Sequence, residues 1–147
     1  MERPTHVYEV FIRATPERIW EAITRPELTR DYFYGTLVSS DWKVGSTLSY
    51  SYPDGRPAAE GTVLEIDPPR RLKHTFSALW DEKVKGDAPH TMVWTLTPMG
   101  ATCKVAVESF DFEGETATLE SFRGGMSVIL SGLKTLVETG SPLPLGS

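Results

Sequence analysis

Residues 115–140 read ETATLESFRGGMSVILSGLKTLVETG, and apolar residues recur in this stretch every three or four positions. This spacing places them along one face of an α-helix. The apolar face consists of Leu119, Phe122, Met126, Ile129, Leu130, Leu133, Leu136 and Val137. Gly140 follows the last of them and Pro142 comes soon after, which is typical of a helix end. The pattern predicts an amphipathic helix of about 37 Å, at about 1.5 Å per residue, which needs a partner surface of matching length.

The residues before this helix predict the sheet that would be its partner. The stretch from His6 to Arg13 alternates as a strand, and Thr15-Pro16 and Pro26 then begin two short helices. From residue 37 to residue 110 the pattern indicates about six strands with short connections, interrupted by a polar loop at residues 79–89. Consecutive strands with short connections form an antiparallel sheet. We therefore expect a single α+β domain over residues 1–147, with the long helix across one face of the sheet.

A strongly twisted sheet cannot contact a straight helix along its full length. We therefore expect a cavity between the two layers, and this cavity is the candidate ligand site. Aromatic residues are frequent in the chain, and several fall where the wall or the mouth of such a cavity would be. The candidate lining residues are Tyr32, Phe33, His74, Phe76, Trp80, Trp94, Phe122, Arg123, Met126 and Leu130.

Two of these candidates each allow two interpretations. His74 shares a predicted strand face with Leu72 and Phe76, so it is either a catalytic base or a partly buried histidine bonded to a neighbour. Arg123 lies beside the apolar face of the long helix, so it either holds a ligand carboxylate or pairs with an acidic residue. The other histidines, His6 and His90, are expected at the surface.

Composition and missing motifs exclude several classes of function. The formal net charge is −5 with scattered basic residues, which makes nucleic acid an unlikely partner. Cys103 is the only cysteine, so neither an internal disulfide nor a cysteine-based zinc site can form. The sequence holds no phosphate-binding loop, zinc-protease or serine-hydrolase motif, and no run long enough to span a membrane. We assign no catalytic residue, metal or cofactor, and expect a cytoplasmic protein.

Three stretches resemble one known family. FIRATPERIWEAITRPE at residues 11–27, GTVLEIDPPRRL at 61–72 and LKTLVETG at 133–140 occur in the order found there. They resemble the START-like, birch-pollen-allergen-like superfamily (SRPBCC, polyketide cyclase). Within it, they are most similar to the activator of heat-shock protein 90 ATPase homologue-like branch.

The resemblance implies a helix-grip fold, in which a curved antiparallel sheet of six or seven strands surrounds a long C-terminal helix and two short helices follow the first strand. It also implies an apolar or amphipathic ligand that is lipid-, sterol- or polyketide-like. Two alternatives stay open: a cofactor-independent cyclase or hydrolase, and a protein-binding module that stimulates a chaperone ATPase. A homodimer formed through an edge strand is a further expectation. Gly125-Met126 stands where the branch usually has Gly-Trp, which suggests an altered pocket.

Overall fold

The computed structural model describes residues 3–144 and contains seven strands and four helices in this range. In chain order they are β1 (His6–Ile12), α1 (Pro16–Thr24), α2 (Pro26–Thr29), β2 (Leu37–Ser40), β3 (Thr47–Ser51), β4 (Pro57–Asp67), β5 (Arg71–Ala78), α3 (Glu82–Lys85), β6 (His90–Met99), β7 (Thr102–Phe110) and α4 (Ala117–Thr139). The predicted order of one strand, two short helices, a run of strands and a long helix is confirmed.

The strands form one antiparallel sheet with the order β1-β7-β6-β5-β4-β3-β2. Strands β2 to β7 follow one another in space as they do in sequence, because each connection is short. The first strand returns to pair with the last, with His6 opposite Ser109 and Ile12 opposite Cys103. The two edges of the sheet are therefore β1 and β2, and the helix-grip fold predicted from the resemblance is confirmed.

Two irregularities bend the sheet on the β3–β5 side. The register shifts between Tyr50 and Ser51 in the β3–β4 pair, and between Val63 and Glu65 in the β4–β5 pair. At Gly61 the backbone of β5 approaches so closely that an added Cβ would lie 1.8 Å from the carbonyl oxygen of Thr75. Bulges of this kind increase the local twist and curvature of a sheet. They make this half of the sheet concave toward α4.

The long helix begins and ends where its sequence indicates. The Thr116 hydroxyl accepts a hydrogen bond from the backbone N–H of Leu119 at 3.1 Å, which satisfies one of the unpaired donors at the helix start. At the other end Gly140 has φ 82°, and its N–H donates to the carbonyl oxygen of Leu136 at 2.8 Å. Every residue of the predicted apolar face is buried. The predicted helix is confirmed. It begins two residues later and ends one residue earlier than the stretch 115–140.

The short helices close one end of the layered structure. Thr15 caps α1 by accepting from the N–H of Arg18 at 3.2 Å, as the Thr-Pro sequence predicts. The segment predicted as a loop at residues 79–89 contains a single helical turn, α3, because Asp81 accepts hydrogen bonds from the N–H groups of Lys83 and Val84. None of the helices in the described range combines the length and hydrophobicity that crossing a bilayer requires.

Candidate functional site

A cavity of about 380 Å³ lies between α4 and the bent half of the sheet. The long helix packs against β1, α1 and α3, which hold it over the opposite half of the sheet. Its first half therefore stands away from β3, β4 and β5, and the cavity occupies this gap. The volume falls within the range of about 300–1,000 Å³ that is usual for small-molecule sites.

The sheet side of the cavity is a wall of aromatic rings. The rings of Phe33 and Tyr50 stack with centroids 4.3 Å apart and an angle of 11° between their planes. Phe76 continues this wall, with its centroid 6.3 Å from that of Tyr50 and 6.3 Å from that of Trp80. Beside them, the small side chains of the β4 residues Ala58 and Ala59 leave the space open. Such a wall offers flat apolar surface to a ligand.

The helix side consists of one face of the first half of α4. Its lining residues are Ser121, Phe122, Gly125, Met126 and Ile129, which recur at helical spacing. Gly125 faces Tyr34, whose hydroxyl oxygen would lie 3.4 Å from a Cβ at that position. Tyr34 is 54% exposed, so we place the mouth of the cavity between these two residues. Phe122 closes the inner end, with its ring centroid 5.3 Å from that of Phe76.

The lining carries polar groups but no formally charged side chain among the described residues. Its polar groups are the hydroxyls of Tyr34, Thr36, Tyr50, Tyr52 and Ser121 and the indole N–H of Trp80. Burial raises the pKa of Tyr50 and, more weakly, that of Tyr34 above the ordinary value of 10.0. Both phenols are therefore neutral at physiological pH. The cavity suits an uncharged ligand, because nothing in its lining would compensate a buried charge.

The structure brings five of the ten predicted residues together at the cavity. Phe33, Phe76, Trp80, Phe122 and Met126 line it. Tyr32, Trp94 and Leu130 are buried core residues outside the lining, and the Tyr32 hydroxyl donates to the carbonyl oxygen of Ala22 at 2.8 Å. Arg123 also lies outside the lining; its side chain is 47% exposed and pairs with Glu115 at 2.6 Å. Of its two interpretations, pairing with an acidic residue is the one that the geometry matches.

The predicted position of His90 at the surface is wrong, since its side chain is only 1% exposed. Its ring stacks on Phe112 at a centroid distance of 4.0 Å and lies edge-on to Phe122 at 4.8 Å. His74 is fully buried on the neighbouring strand β5. Burial lowers the pKa of His74 to about 4, and burial together with the neighbouring His74 lowers that of His90 to about 3. Both imidazoles are therefore neutral at physiological pH.

Most of the chain matches one known protein family. The family described as "Activator of Hsp90 ATPase homolog 1-like protein" matches residues 13–138. Among curated proteins, none matches the chain significantly.

Three solved structures illustrate the similarity of fold. DynU16, from the dynemicin biosynthetic locus, is 22% identical with a TM-score of 0.75, over 96% of this chain and 55% of its own. The Aha1 dimer from Colwellia psychrerythraea is 20% identical with a TM-score of 0.70, over 91% of this chain and 96% of its own. PFC0360w, an HSP90 activator from Plasmodium falciparum, is 19% identical with a TM-score of 0.70, over 92% of this chain and 97% of its own.

Proposed function

Because the chain belongs to the activator of Hsp90 ATPase homolog 1-like family, whose relatives share its helix-grip fold, we propose that it binds an uncharged apolar or amphipathic small molecule in the cavity under α4. Its candidate classes are lipid-, sterol- and polyketide-like molecules. The observation that carries the proposal is the cavity of about 380 Å³ with a mostly aromatic lining.

The buried histidine favours binding over catalysis. His74 is the titratable side chain that would serve as a base in a cyclase or hydrolase, but its pKa of about 4 makes it a weak base at neutral pH. Its ring is not part of the cavity lining, and its centroid lies 6.5 Å from that of the lining residue Phe76. Rigid aromatic side chains with a few hydroxyls are, by contrast, the usual composition of a binding pocket.

Two adjacent glycines of α4 provide a matched test. Gly125 lines the cavity, whereas a Cβ at Gly124 would meet no atom within 4 Å. Gly125→Leu places a branched side chain in the cavity, and Gly124→Leu places the same side chain in open space. Both substitutions remove a helical glycine, which stabilises a helix by up to about 1 kcal/mol. A difference in ligand affinity between the two variants therefore comes from the side chain added to the cavity.

The assay is a thermal-shift panel of oleyl alcohol, cholesterol and anthraquinone, followed by a fluorescence titration with the molecule that gives the largest shift. We expect the wild type and Gly124→Leu to bind it equally, and Gly125→Leu to bind it at least tenfold more weakly. Equal binding by all three proteins would place the ligand elsewhere. No shift with any member of the panel would overturn the proposal.

Stimulation of a chaperone ATPase is the second candidate, and the family description together with the similarity to the Plasmodium falciparum HSP90 activator supports it. An Hsp90 ATPase assay with and without the protein tests it, and an unchanged rate would reject it.

Self-association is a related expectation, supported by the similarity to the Aha1 dimer. The edge strand β1 carries Val7 and Phe11, which are 50% and 48% exposed. Sedimentation equilibrium of the wild type and of a Val7→Lys, Phe11→Lys double variant would show whether this edge joins two copies. A wild type that stays monomeric would reject the expectation.

A further inference from the structure

Four buried polar side chains on β5, β6 and β7 carry atoms that lack a hydrogen-bond partner within residues 3–144. The unpaired atoms are Nε2 of His74, both ring nitrogens of His90, the indole Nε1 of Trp94 and Oγ of Ser109. Each of these side chains is at most 1% exposed. Buried polar groups without partners are rare in proteins, because each costs about 1–3 kcal/mol. Several such unpaired atoms in one sheet therefore indicate a function for these side chains.

The sheet register brings these groups together on one face. His74, Met92 and Ser109 lie opposite one another across β5, β6 and β7, so they form one row of the sheet. His90 stands opposite Phe76 in the next row, and Trp94 stands opposite Leu72 in the row on the other side. Diagonal neighbours on one face of a sheet are within reach of long and aromatic side chains. His90 is the diagonal neighbour of both His74 and Ser109, so these three side chains form one cluster on this face of the sheet.

Two side chains of the cavity lining lie next to this cluster. Phe76 and Phe122 line the cavity, and their ring centroids lie 5.3 Å and 4.8 Å from that of His90. Neither histidine belongs to the lining. A ligand group therefore reaches the cluster only when one of these phenylalanine rings turns aside.

The hydrogen bonds that the cluster does make define what it can bind. Nδ1 of His74 lies 2.8 Å from the carbonyl oxygen of Thr75. A carbonyl only accepts, so Nδ1 carries the proton of the neutral ring and Nε2 presents a bare lone pair. Neutral His90 offers one donor and one acceptor, and the Ser109 hydroxyl can act as either. The cluster therefore requires a partner that donates at His74 and can also accept.

We propose that His74, His90 and Ser109 form the inner, hydrogen-bonding end of the ligand cavity and that this end takes the hydroxyl group of an uncharged aromatic ligand. This inference rests on the proposed function and specifies its ligand class. A hydroxyl donates to Nε2 of His74 and accepts from His90 or Ser109. The ring system of the ligand then occupies the aromatic-walled cavity outside Phe76 and Phe122.

Other ligand groups fit the cluster less well. A carboxylate would face the lone pair of His74, and its charge would be buried among neutral groups. A metal ion is disfavoured, because the described residues hold no group of three or more histidine, cysteine, aspartate or glutamate side chains with suitable geometry. An alkyl group would leave every polar atom of the cluster without a partner.

Two probes that differ in a single donor test the inference. 2-Naphthol carries the hydroxyl, and 2-methoxynaphthalene has the same ring system without the donor. If the cluster binds the hydroxyl, the wild type binds 2-naphthol about tenfold more tightly, which corresponds to one net hydrogen bond. In His74→Leu this ratio falls to about one while the affinity for 2-methoxynaphthalene stays the same. In Arg123→Gln, a control on α4 outside the cavity, both affinities stay at the wild-type values.

A second measurement needs no variant and so does not depend on His74→Leu folding. The ¹⁵N resonance of His74 Nε2 should move when 2-naphthol is added, because a bare nitrogen becomes a hydrogen-bond acceptor, and should stay in place with 2-methoxynaphthalene. Equal affinities for the two probes with an unmoved resonance would overturn the inference and leave the proposed function intact. Binding of neither probe would also overturn it, and the ligand panel then decides the proposed function separately.

Discussion

Lowering the pH from 7.5 to 5.0 should destabilise the protein strongly, because two histidines are buried in their neutral form. In the folded state the pKa of His74 is about 4 and that of His90 about 3, against 6.5 for an exposed histidine. Burial is the main cause for both. For His90 the neighbouring His74 lowers the pKa further, and Asp111 opposes the change. The unfolded chain therefore binds protons in a pH range where the folded protein does not.

The direction of the pH effect on stability depends on which state, folded or unfolded, binds more protons. Between about pH 6.5 and pH 4 the unfolded state is the more protonated one, so the free energy of unfolding falls as the pH falls. Lowering the pH from 7.5 to 5.0 reduces the free energy of unfolding by about 2 kcal/mol for each histidine, and by about 4 kcal/mol for the two together. This is a large part of a typical domain stability of about 5–15 kcal/mol. Three carboxyls with lowered pKa, those of Asp54, Glu115 and Glu138, change the stability mostly below pH 5.0, since their ordinary pKa values are 3.8 for aspartate and 4.5 for glutamate.

Urea unfolding followed by tryptophan fluorescence at pH 7.5, 6.5, 5.5 and 5.0 measures this loss. In His74→Leu the loss should fall to about half, or about 2 kcal/mol, because one proton-binding group is removed. The comparison uses the pH dependence of each protein, so a lower overall stability of the variant does not affect it. A free energy of unfolding that changes by less than about 1 kcal/mol across this range would refute the reasoning. So would a ring-proton NMR titration of His74 with a midpoint near 6.5.

Two further predictions concern stability alone. Gly61→Ala should destabilise the fold by more than about 3 kcal/mol in urea unfolding, because its Cβ would lie 1.8 Å from the Thr75 carbonyl oxygen. Gly124→Ala, with no atom within 4 Å of the new Cβ, should instead stabilise it by about 0.5–1 kcal/mol, and equal effects would contradict the close approach of Gly61 to Thr75. Tyr32→Phe should lower the melting temperature, since it removes the buried bond to Ala22 and costs about 1–1.5 kcal/mol. An unchanged melting temperature would show that this bond contributes nothing.

Local signals in the sequence were enough to predict α1, α2, α4 and the layer arrangement. The Thr15-Pro16 start of α1 and the Gly140 end of α4 depend on hydrogen bonds within a few residues, so the residues themselves reveal them. The short helix α3 was missed because its signal is a single capping residue, Asp81, within a polar segment. A helix of a single turn is too short to show the repeated spacing of apolar residues that identifies a longer helix.

The cavity lining could be predicted only in part, because it depends on where α4 lies across the sheet. The alternation of apolar and polar residues identifies which face of β3 is buried. It does not show that α4 leaves Tyr50 uncovered on that face, so that its ring lines the cavity. For the same reason Trp94 was expected in the lining and lies in the core instead. The burial of His90 comes from Phe112 and Phe122, which are more than twenty residues away in the chain. No local pattern contains that information.

The attachments of α4 explain how the cavity could admit a ligand without unfolding. At its far end the Lys134 ammonium donates to the carbonyl oxygen of Phe11 at 2.6 Å, and Glu138 accepts from the N–H of Arg13 at 2.8 Å. Near its start the Tyr8 hydroxyl donates to the carbonyl oxygen of Phe122 at 2.9 Å. All three bonds join the helix to β1 or to the residue that follows it, on the side away from the cavity. Side chains on the β3–β5 side can therefore rearrange around a ligand while these bonds hold the helix in place.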